Sequence, residues 1–448
     1  MKIYVQTYGC QMNEHDSSRM IRLMRASDYT PTQDIEEADL IIYNTCSVRD
    51  KAEQKVYSAL GRLRELKRKK KDLIIGVAGC VAQQEKEALL RRVPHLDLVV
   101  GTQNIHNLPQ MVRDVQLAGR RDVQTAFYHE PFYLETPEGR IEIDGPKAYV
   151  PIMQGCNKVC SFCIVPYVRG RETSRPHEAI LAEIRSLARQ GIKEVTLLGQ
   201  NVNSYGKTAS GELTFPELLH RINDIEGMER IRFTTSHPQD LSPELIEAYR
   251  KLDKLCEHLH LPAQSGSDSV LRRMRRGYDS GEYVERIHRL RDRCPEVALT
   301  TDIIVGFPGE TEAEFAATLE LLRQMEYDDL YSFEYSPRPH TTAARVYPDD
   351  VPGGTKRERL MKVQELQGEI SLRKNRGKIG SVEEVLVEGR SKLSEERMMG
   401  RTRTHRIVNF AGGEEYRGQL MQVRITGATA TSLLGELSND QETRSYSN

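Results

Sequence analysis

The chain has 448 residues, so core size sets no limit and about three domains of roughly 150 residues each are expected. Its net charge is −1 and its sequence pI about 6.9, which excludes a global field drawing it to nucleic acid or anionic lipid and leaves any such attraction to local patches. The opening MKIYVQTYGC runs straight into an alternating strand, and no apolar run approaches the ~18 residues of a membrane span. A cytoplasmic address without membrane contact is the expectation. There thiols stay reduced, and the eight cysteines (Cys10, Cys46, Cys80, Cys156, Cys160, Cys163, Cys256, Cys294) read as metal ligands, catalytic groups or buried residues rather than disulfides.

Residues 1–117 alternate apolar runs with helical stretches. KIYVQTYG, ADLIIYNTC, DLIIGVAGC and LDLVVGT are predicted strands, and the alternation implies a doubly wound parallel sheet. Cys10, Cys46 and Cys80 each fall at the C-terminal end of a predicted strand, where such sheets build their ligand crevices. The basic run RLRELKRKKK at 62–71 reads as a solvated helix end rather than a nucleic-acid contact. Residues 118–145, rich in charge, Pro and Gly, read as a linker.

A second series begins at 146 and extends to 372. Its predicted strands are KAYVPIMQGC, EVTLLGQN, RIRFTTSH, EHLHLPAQS, ALTTDIIVGF and LYSFEYSP. Helices between them have legible starts, with Ser242-Pro243 as N-cap and first turn and Thr311 with Glu314 as a capping box. Six βα units fall short of the eight of a closed barrel and predict a partial (β/α)6 TIM-like barrel with its site at the strand C-termini. From 373 to 440 short strands (VEEVLVEG, RIVNF, LMQVRITGATATSLLGEL) predict a small antiparallel β-barrel, and 441–448 a tail. Over 356–406 fourteen Lys and Arg stand against eight Asp and Glu, a candidate polyanion-facing stretch.

The sequence GCNKVCSFCIVP places Cys156, Cys160 and Cys163 as CxxxCxxC on a loop leaving the first strand of the partial barrel. A structural zinc needs four closed ligands, and the nearest His, His177, lies beyond RGRETSRP. Three thiolates on a four-iron cubane leave one iron without a protein ligand, a defect for an electron carrier but useful where that iron binds a substrate. CNKVCSFC in this context resembles the radical S-adenosylmethionine superfamily. The resemblance implies a [4Fe-4S] cluster whose open iron is chelated by S-adenosylmethionine, cleaved by one electron to a 5′-deoxyadenosyl radical, with Phe162 against the adenine. Strand-end residues Gly199, Gln200, Asn201, Ser236 and Gln264 are candidates for holding S-adenosylmethionine or, equally, turn and capping residues. Gly306 either lets the backbone approach adenine or serves the Gly-Phe-Pro-Gly turn. Arg169, Arg171 and Arg175 suit phosphate contacts of the substrate, or form a solvated loop.

Cys10, Cys46 and Cys80 taken singly read as buried thiols, but they hold equivalent places in the predicted sheet. Their contexts TYGCQMNEHDS, YNTCSVRDKAEQK and GVAGCVAQQ resemble the methylthiotransferase family. That resemblance covers nearly the whole chain, with a C-terminal segment similar to the TRAM RNA-binding fold. It implies a second [4Fe-4S] cluster on Cys10, Cys46 and Cys80 whose open iron carries a sulfur species. Two equivalents of S-adenosylmethionine are then used, one methylating that sulfur and one generating the radical that abstracts hydrogen from C2 of an adenine. TYGCQMN and TTSHPQD look like the branch acting on tRNA at a dimethylallyl-adenosine beside the anticodon. The other branches act on threonylcarbamoyl-adenosine or on an aspartate of a ribosomal protein. Implied partners are tRNA, an electron donor such as a flavodoxin or ferredoxin, and a sulfur source, with a monomer sufficient for a complete site. The competing class is a non-catalytic RNA-binding protein stapled by metal. Cys256 and Cys294 are read as structural, and Phe410 or Tyr416 as candidates for base stacking.

Overall fold

The computed structural model describes residues 1–47, 50–128, 145–208, 211–391 and 394–438. The strands Leu40–Thr45 and Ile74–Gly79 are predominantly apolar and buried at every position, as central strands of a parallel sheet covered on both faces must be. Lys2–Tyr8 pairs with Leu40–Thr45, which pairs in turn with Ile74–Gly79 and then Leu98–Val100, all parallel. Because successive side chains alternate, Ile41, Tyr43, Ile75 and Val77 meet Val56, Leu60 and Leu63 of the helix Asp50–Lys69 on one face. Ile3, Leu40, Ile42 and Ile74 meet Met20, Met24 and Met111 on the other. Each such aliphatic side chain contributes about 1.5–3 kcal/mol by leaving water.

The sheet is wider than the sequence suggests. A two-residue strand, Thr30–Pro31, adds one edge, and Asp122–Gln124, inside the stretch read as linker, adds the other. The rest of that stretch, 129–144, and the tail 441–448 lie outside the described residues.

In the central domain Lys147–Pro151, Glu194–Leu198 and Arg230–Phe233 form one parallel triplet, and His258–His260, Ala298–Val305 and Asp329–Glu334 a second. A single bridge from Ile231 to Leu255 joins them into a curved six-strand wall, an open barrel. Ser242 caps its helix by accepting from the Leu245 amide at 3.2 Å, and Thr311 and Glu314 form the expected capping box. The boundary placed between 372 and 373 cuts the helix Gly353–Arg376, whose end runs on under the C-terminal domain.

The C-terminal strands close into a five-strand barrel in which all pairings are antiparallel except Ile407–Ala411 with Leu433–Leu437. The strand Ser394–Thr402 has no counterpart in the sequence reading. Its inward positions include Met398, Gly400 and Thr402, so two of three carry no apolar signal. The run LMQVRITGATATSLLGEL is two strands, folded at Thr429, whose hydroxyl accepts from the Ser432 amide at 2.9 Å.

This small barrel docks on the N-terminal ends of the central strands, opposite the end that carries the cysteine motif. Lys147 pairs with Glu388 at 2.7 Å, and Arg403 with Glu257 at 2.7 Å. Arg230, with no exposed surface, donates to the carbonyls of Arg401 and Glu384 at 2.8 and 2.9 Å and to Glu384 Oε1 at 2.8 Å. Arg232 pairs with Glu194 at 2.9 Å and donates to the carbonyls of Thr402 and Arg403 at 2.7 and 2.8 Å. Such contacts take up much of the positive charge of 356–406 within the chain. Lys356, Arg359, Arg373, Lys374, Lys378, Arg390, Arg401, Arg403 and Arg406 are all engaged with carboxylates of this chain. Truncating Arg230 to alanine strands two buried carbonyls, and a loss of about 3 kcal/mol is expected, read as earlier thermal melting and faster proteolysis of the C-terminal barrel.

Candidate functional site

The three N-terminal cysteines converge. Cys10 caps the helix Gln11–Arg25, Cys46 follows the strand Leu40–Thr45, and Cys80 opens the helix Cys80–Glu85. Cys46 and Cys80 are buried while Cys10 opens to solvent. Asn13 and Asn44, which sequence reasoning passed over, lock these loops together. Asn13 Oδ1 accepts from the Cys10 amide at 3.4 Å and from its thiol at 3.3 Å, and Asn13 Nδ2 donates to Asn44 Oδ1 at 3.0 Å. Asn44 Nδ2 returns a bond to the Asn13 carbonyl at 2.7 Å. Gly79, with φ +89°, is confined against the same pair, since a Cβ there would lie 2.4 Å from Asn44 Oδ1.

The Cys46 thiol hydrogen-bonds both neighbours. Its bonds draw Cys10 and Cys80 below the ordinary thiol range, against burial that raises them and with help from the Arg169 charge. Cys46 itself is pushed up by those two hydrogen bonds and by burial.

The second motif is a true loop. Gly155 turns with φ +78°, its amide donates to Gln200 Oε1 at 2.5 Å, and the Cys156 amide donates to the Gly170 carbonyl at 3.2 Å. Cys160 Sγ accepts from Arg276 Nη1 at 3.3 Å, and Cys156 Sγ from the Lys158 amide at 3.4 Å. Burial raises Cys156 to about 11 and Cys163 to about 12, so these thiols hold their protons at neutral pH until a metal displaces them. Among the described residues no set of three His, Cys, Asp or Glu is arranged for a single metal ion. On a cubane each thiolate binds an iron of its own.

TTSHPQD acquires a role as the clamp of this loop. Lys158, between the first two cysteines, reaches Asp240 Oδ2 at 2.9 Å and Gln239 Oε1 at 3.1 Å. Burial raises the Asp240 carboxyl, but hydrogen bonds from Lys207, Asn201 and Lys158 outweigh it and hold the group at about 2. His237 accepts from the Gln239 amide through Nδ1 at 3.3 Å, and burial beside Arg276 lowers it to about 2, so the ring stays neutral. Arg276 carried no motif, and the clamp partners Lys158 and Asp240 were legible only as charges.

Of the residues proposed to hold S-adenosylmethionine, several surround this loop. Ser236 and Asn201 are buried, and Ser236 Oγ and Asn201 Oδ1 have no hydrogen-bond partner among the described residues; the same holds for His237 Nε2. Such orphaned atoms fit a polar ligand. Gln264 sits at φ +73°, its backbone bridged to Asp302 and Ile304 at 2.8 and 2.9 Å. Phe162 is half-buried against a cluster containing Phe307 and Tyr335. The two glycines have structural reasons: a Cβ on Gly199 would lie 2.4 Å from Met153, and Gly306 turns at φ +68° beneath the Lys356 stem. Cys256 and Cys294 are buried and apart from both triads, and the Phe410 ring lies in the C-terminal core, closed to base stacking. Tyr416 packs part-buried against that core.

The phosphate reading of the arginines is corrected for two of three. Arg169 is buried and pairs with Asp16 at 2.8 Å, and Arg175 is buried against Glu183, so neither guanidinium reaches solvent. Arg171 is exposed. The segment that leads from Cys163 to these arginines touches the first triad: Cys80 packs against Ile164 and Val168.

A partial parallel barrel with CxxxCxxC at its strand ends, a doubly wound domain supplying a second cysteine triad and a closed five-strand barrel together define a three-domain radical S-adenosylmethionine enzyme. Residues 150–322 match the radical SAM superfamily, 2–101 the uncharacterized protein family UPF0004, and 376–438 the TRAM domain. The chain is 53% identical, over 97% of its length and 98% of the relative, to a tRNA-2-methylthio-N(6)-dimethylallyladenosine synthase of Geobacter metallireducens. It is 51% identical, over 97% of its length and 95% of the relative, to the synthase of that name from Syntrophobacter fumaroxidans. This chain belongs to that family of methylthio-transferring enzymes, which brings with it [4Fe-4S] clusters and S-adenosylmethionine as cofactors. The radical S-adenosylmethionine methyltransferase TsrM of Kitasatospora setae has a related fold, with TM-score 0.56 at 13% identity over 77% of this chain and 75% of that one. Among the described residues no helix is long and apolar enough to cross a membrane.

Proposed function

We propose that this chain inserts a methylthio group at C2 of N6-dimethylallyladenosine beside the anticodon of tRNA. Cys156, Cys160 and Cys163 hold one [4Fe-4S] cluster and Cys10, Cys46 and Cys80 the other, each with three thiolates. The observation that carries the reading is the convergence of two incomplete triads, Cys80 packed against the residues following Cys163. A metal that only stapled the fold has no use for two neighbouring three-thiol sites. When bound, these groups supply reductive cleavage of S-adenosylmethionine and a transferable sulfur.

The residues of the chain do the positioning. Gln200 and the Lys158–Asp240 clamp fix the loop, so the cysteines keep one spacing through turnover. Arg276 donates to Cys160 Sγ and so holds that ligand in place. Phe162 offers a half-open aromatic face to the adenine of S-adenosylmethionine, with Ser236, Asn201 and Gln264 at the polar end. Arg171 is the remaining candidate of the loop for the tRNA backbone. With the C-terminal barrel on the far end of the central domain, its RNA contacts are made away from the reacting base. A cytoplasmic monomer drawing electrons from a flavodoxin or ferredoxin, with a separate sulfur source, completes the proposal.

Mass spectrometry of tRNA nucleosides tests the substrate. A strain lacking the gene is expected to retain N6-dimethylallyladenosine and lose its 2-methylthio form, and an unchanged nucleoside profile refutes the assignment.

A further inference from the structure

The segment leaving the second cysteine motif reaches the first triad within six residues. After Cys163 the chain enters the helix Val165–Val168, which ends at Arg169. Ile164 and Val168 pack on Cys80. Two residues of the N-terminal domain grip that end, Thr102 Oγ1 donating to the Val168 carbonyl at 2.6 Å and Gln103 Nε2 to the Arg169 carbonyl at 3.3 Å. The chain then turns back at Gly170, φ +82°, whose carbonyl accepts the Cys156 amide at 3.2 Å. One stretch thus closes on itself around one triad and projects a side chain into the other.

That side chain is the guanidinium of Arg169, 4% exposed, with Nη2 2.8 Å from Asp16 Oδ2. Asp16 lies on the helix that Cys10 caps and is itself buried. The Arg169 guanidinium lies beside the Cys80 and Cys10 thiols, close enough for its charge to act on both. A buried cation costs several kcal/mol unless anions surround it, and three thiolates beside Asp16 provide more negative charge than one carboxylate alone. The pair therefore fits a site built to hold an anionic group beside Asp16.

We infer that Arg169 is the positioning residue of the N-terminal cluster site, compensating the charge of its thiolates and, through the Asp16 pair and the gripped backbone, fixing that triad relative to Cys156, Cys160 and Cys163. The inference rests on the reading that Cys10, Cys46 and Cys80 hold a cluster. It removes Arg169 from the residues that meet the tRNA.

The test uses the full-length chain reconstituted anaerobically, with Cys156, Cys160 and Cys163 changed to alanine so that iron reports the N-terminal site alone. Arg169→Met is expected to lower iron and sulfide at least twofold and to move the midpoint potential of what remains to more negative values, since loss of a nearby cation disfavours reduction. Arg169→Lys restores both by keeping the charge. In the chain with all cysteines, tRNA retention on filters changes less than twofold. Iron content and potential unmoved by Arg169→Met, or weakened tRNA binding with the cluster intact, overturn the inference. An absence of iron before Arg169 is touched overturns the underlying cluster reading and the inference with it.

Discussion

Replacing Cys80 with alanine is expected to abolish methylthio transfer by at least about a thousandfold while S-adenosylmethionine is still cleaved to 5′-deoxyadenosine under dithionite. Replacing Cys160 is expected to abolish both. The separation follows from the architecture: Cys80 belongs to the N-terminal sheet, whereas Cys160 sits on the barrel loop bonded to Arg276. Cys80 is buried against Ile164 and Val168, so its truncation leaves a small void costing on the order of 1 kcal/mol, too little to unfold the domain. Loss of product with the barrel's own reaction preserved therefore isolates the second triad. Iron and sulfide per chain should fall by about half, and product is followed by mass spectrometry of the tRNA nucleosides. Retention of full product formation by the Cys80→Ala protein defeats the two-cluster reading.

The positions of these cysteines were legible because strand ends are local. LIIYNT and IIGVAG are buried throughout, and a run of that kind with a cysteine just beyond it fixes both the strand and the place of the thiol. What sequence could not supply was the partner of each charge. Arg169 and Arg175 look like solvent-facing cations in YVRGRETSRP, but Asp16, from a distant helix, and Glu183, one helical stretch further on, take them inward. Much of the basic stretch 356–406 is likewise taken up internally, Arg406 and Arg403 meeting Asp328 and Glu257 across a domain boundary and Arg401 meeting Glu388 within the C-terminal barrel. Asn13 and Asn44 carry no periodic signal, and their mutual bond exists only once two loops are adjacent. The short strand Asp122–Gln124 is polar because it is an edge, paired only to Leu98–Val100, and hydrophobic pattern has little to report there.

Gly155→Ala is expected to empty the barrel's cluster site and stop 5′-deoxyadenosine formation by more than about a hundredfold, while the three domains stay folded. At φ +78° a side chain is already disfavoured by about 1 kcal/mol, but the larger obstacle is spatial. A Cβ on Gly155 would lie 2.0 Å from the Arg171 carbonyl oxygen and 2.6 Å from that of Gly170. Neither oxygen is free to retreat, because Gly170 accepts the Cys156 amide and its chain is anchored to the N-terminal domain through Arg169. The loop has to open instead, breaking the 2.5 Å bond from Gly155 to Gln200 and displacing Cys156 from its two companions. Gly119→Ala is the matched control, since its φ of +62° carries the same conformational cost but nothing lies within 4 Å of the added carbon. That variant should lose about 1 kcal/mol of stability and keep its iron. Equal iron in the two proteins would mean that the cysteine spacing does not depend on the crowded turn at Gly155.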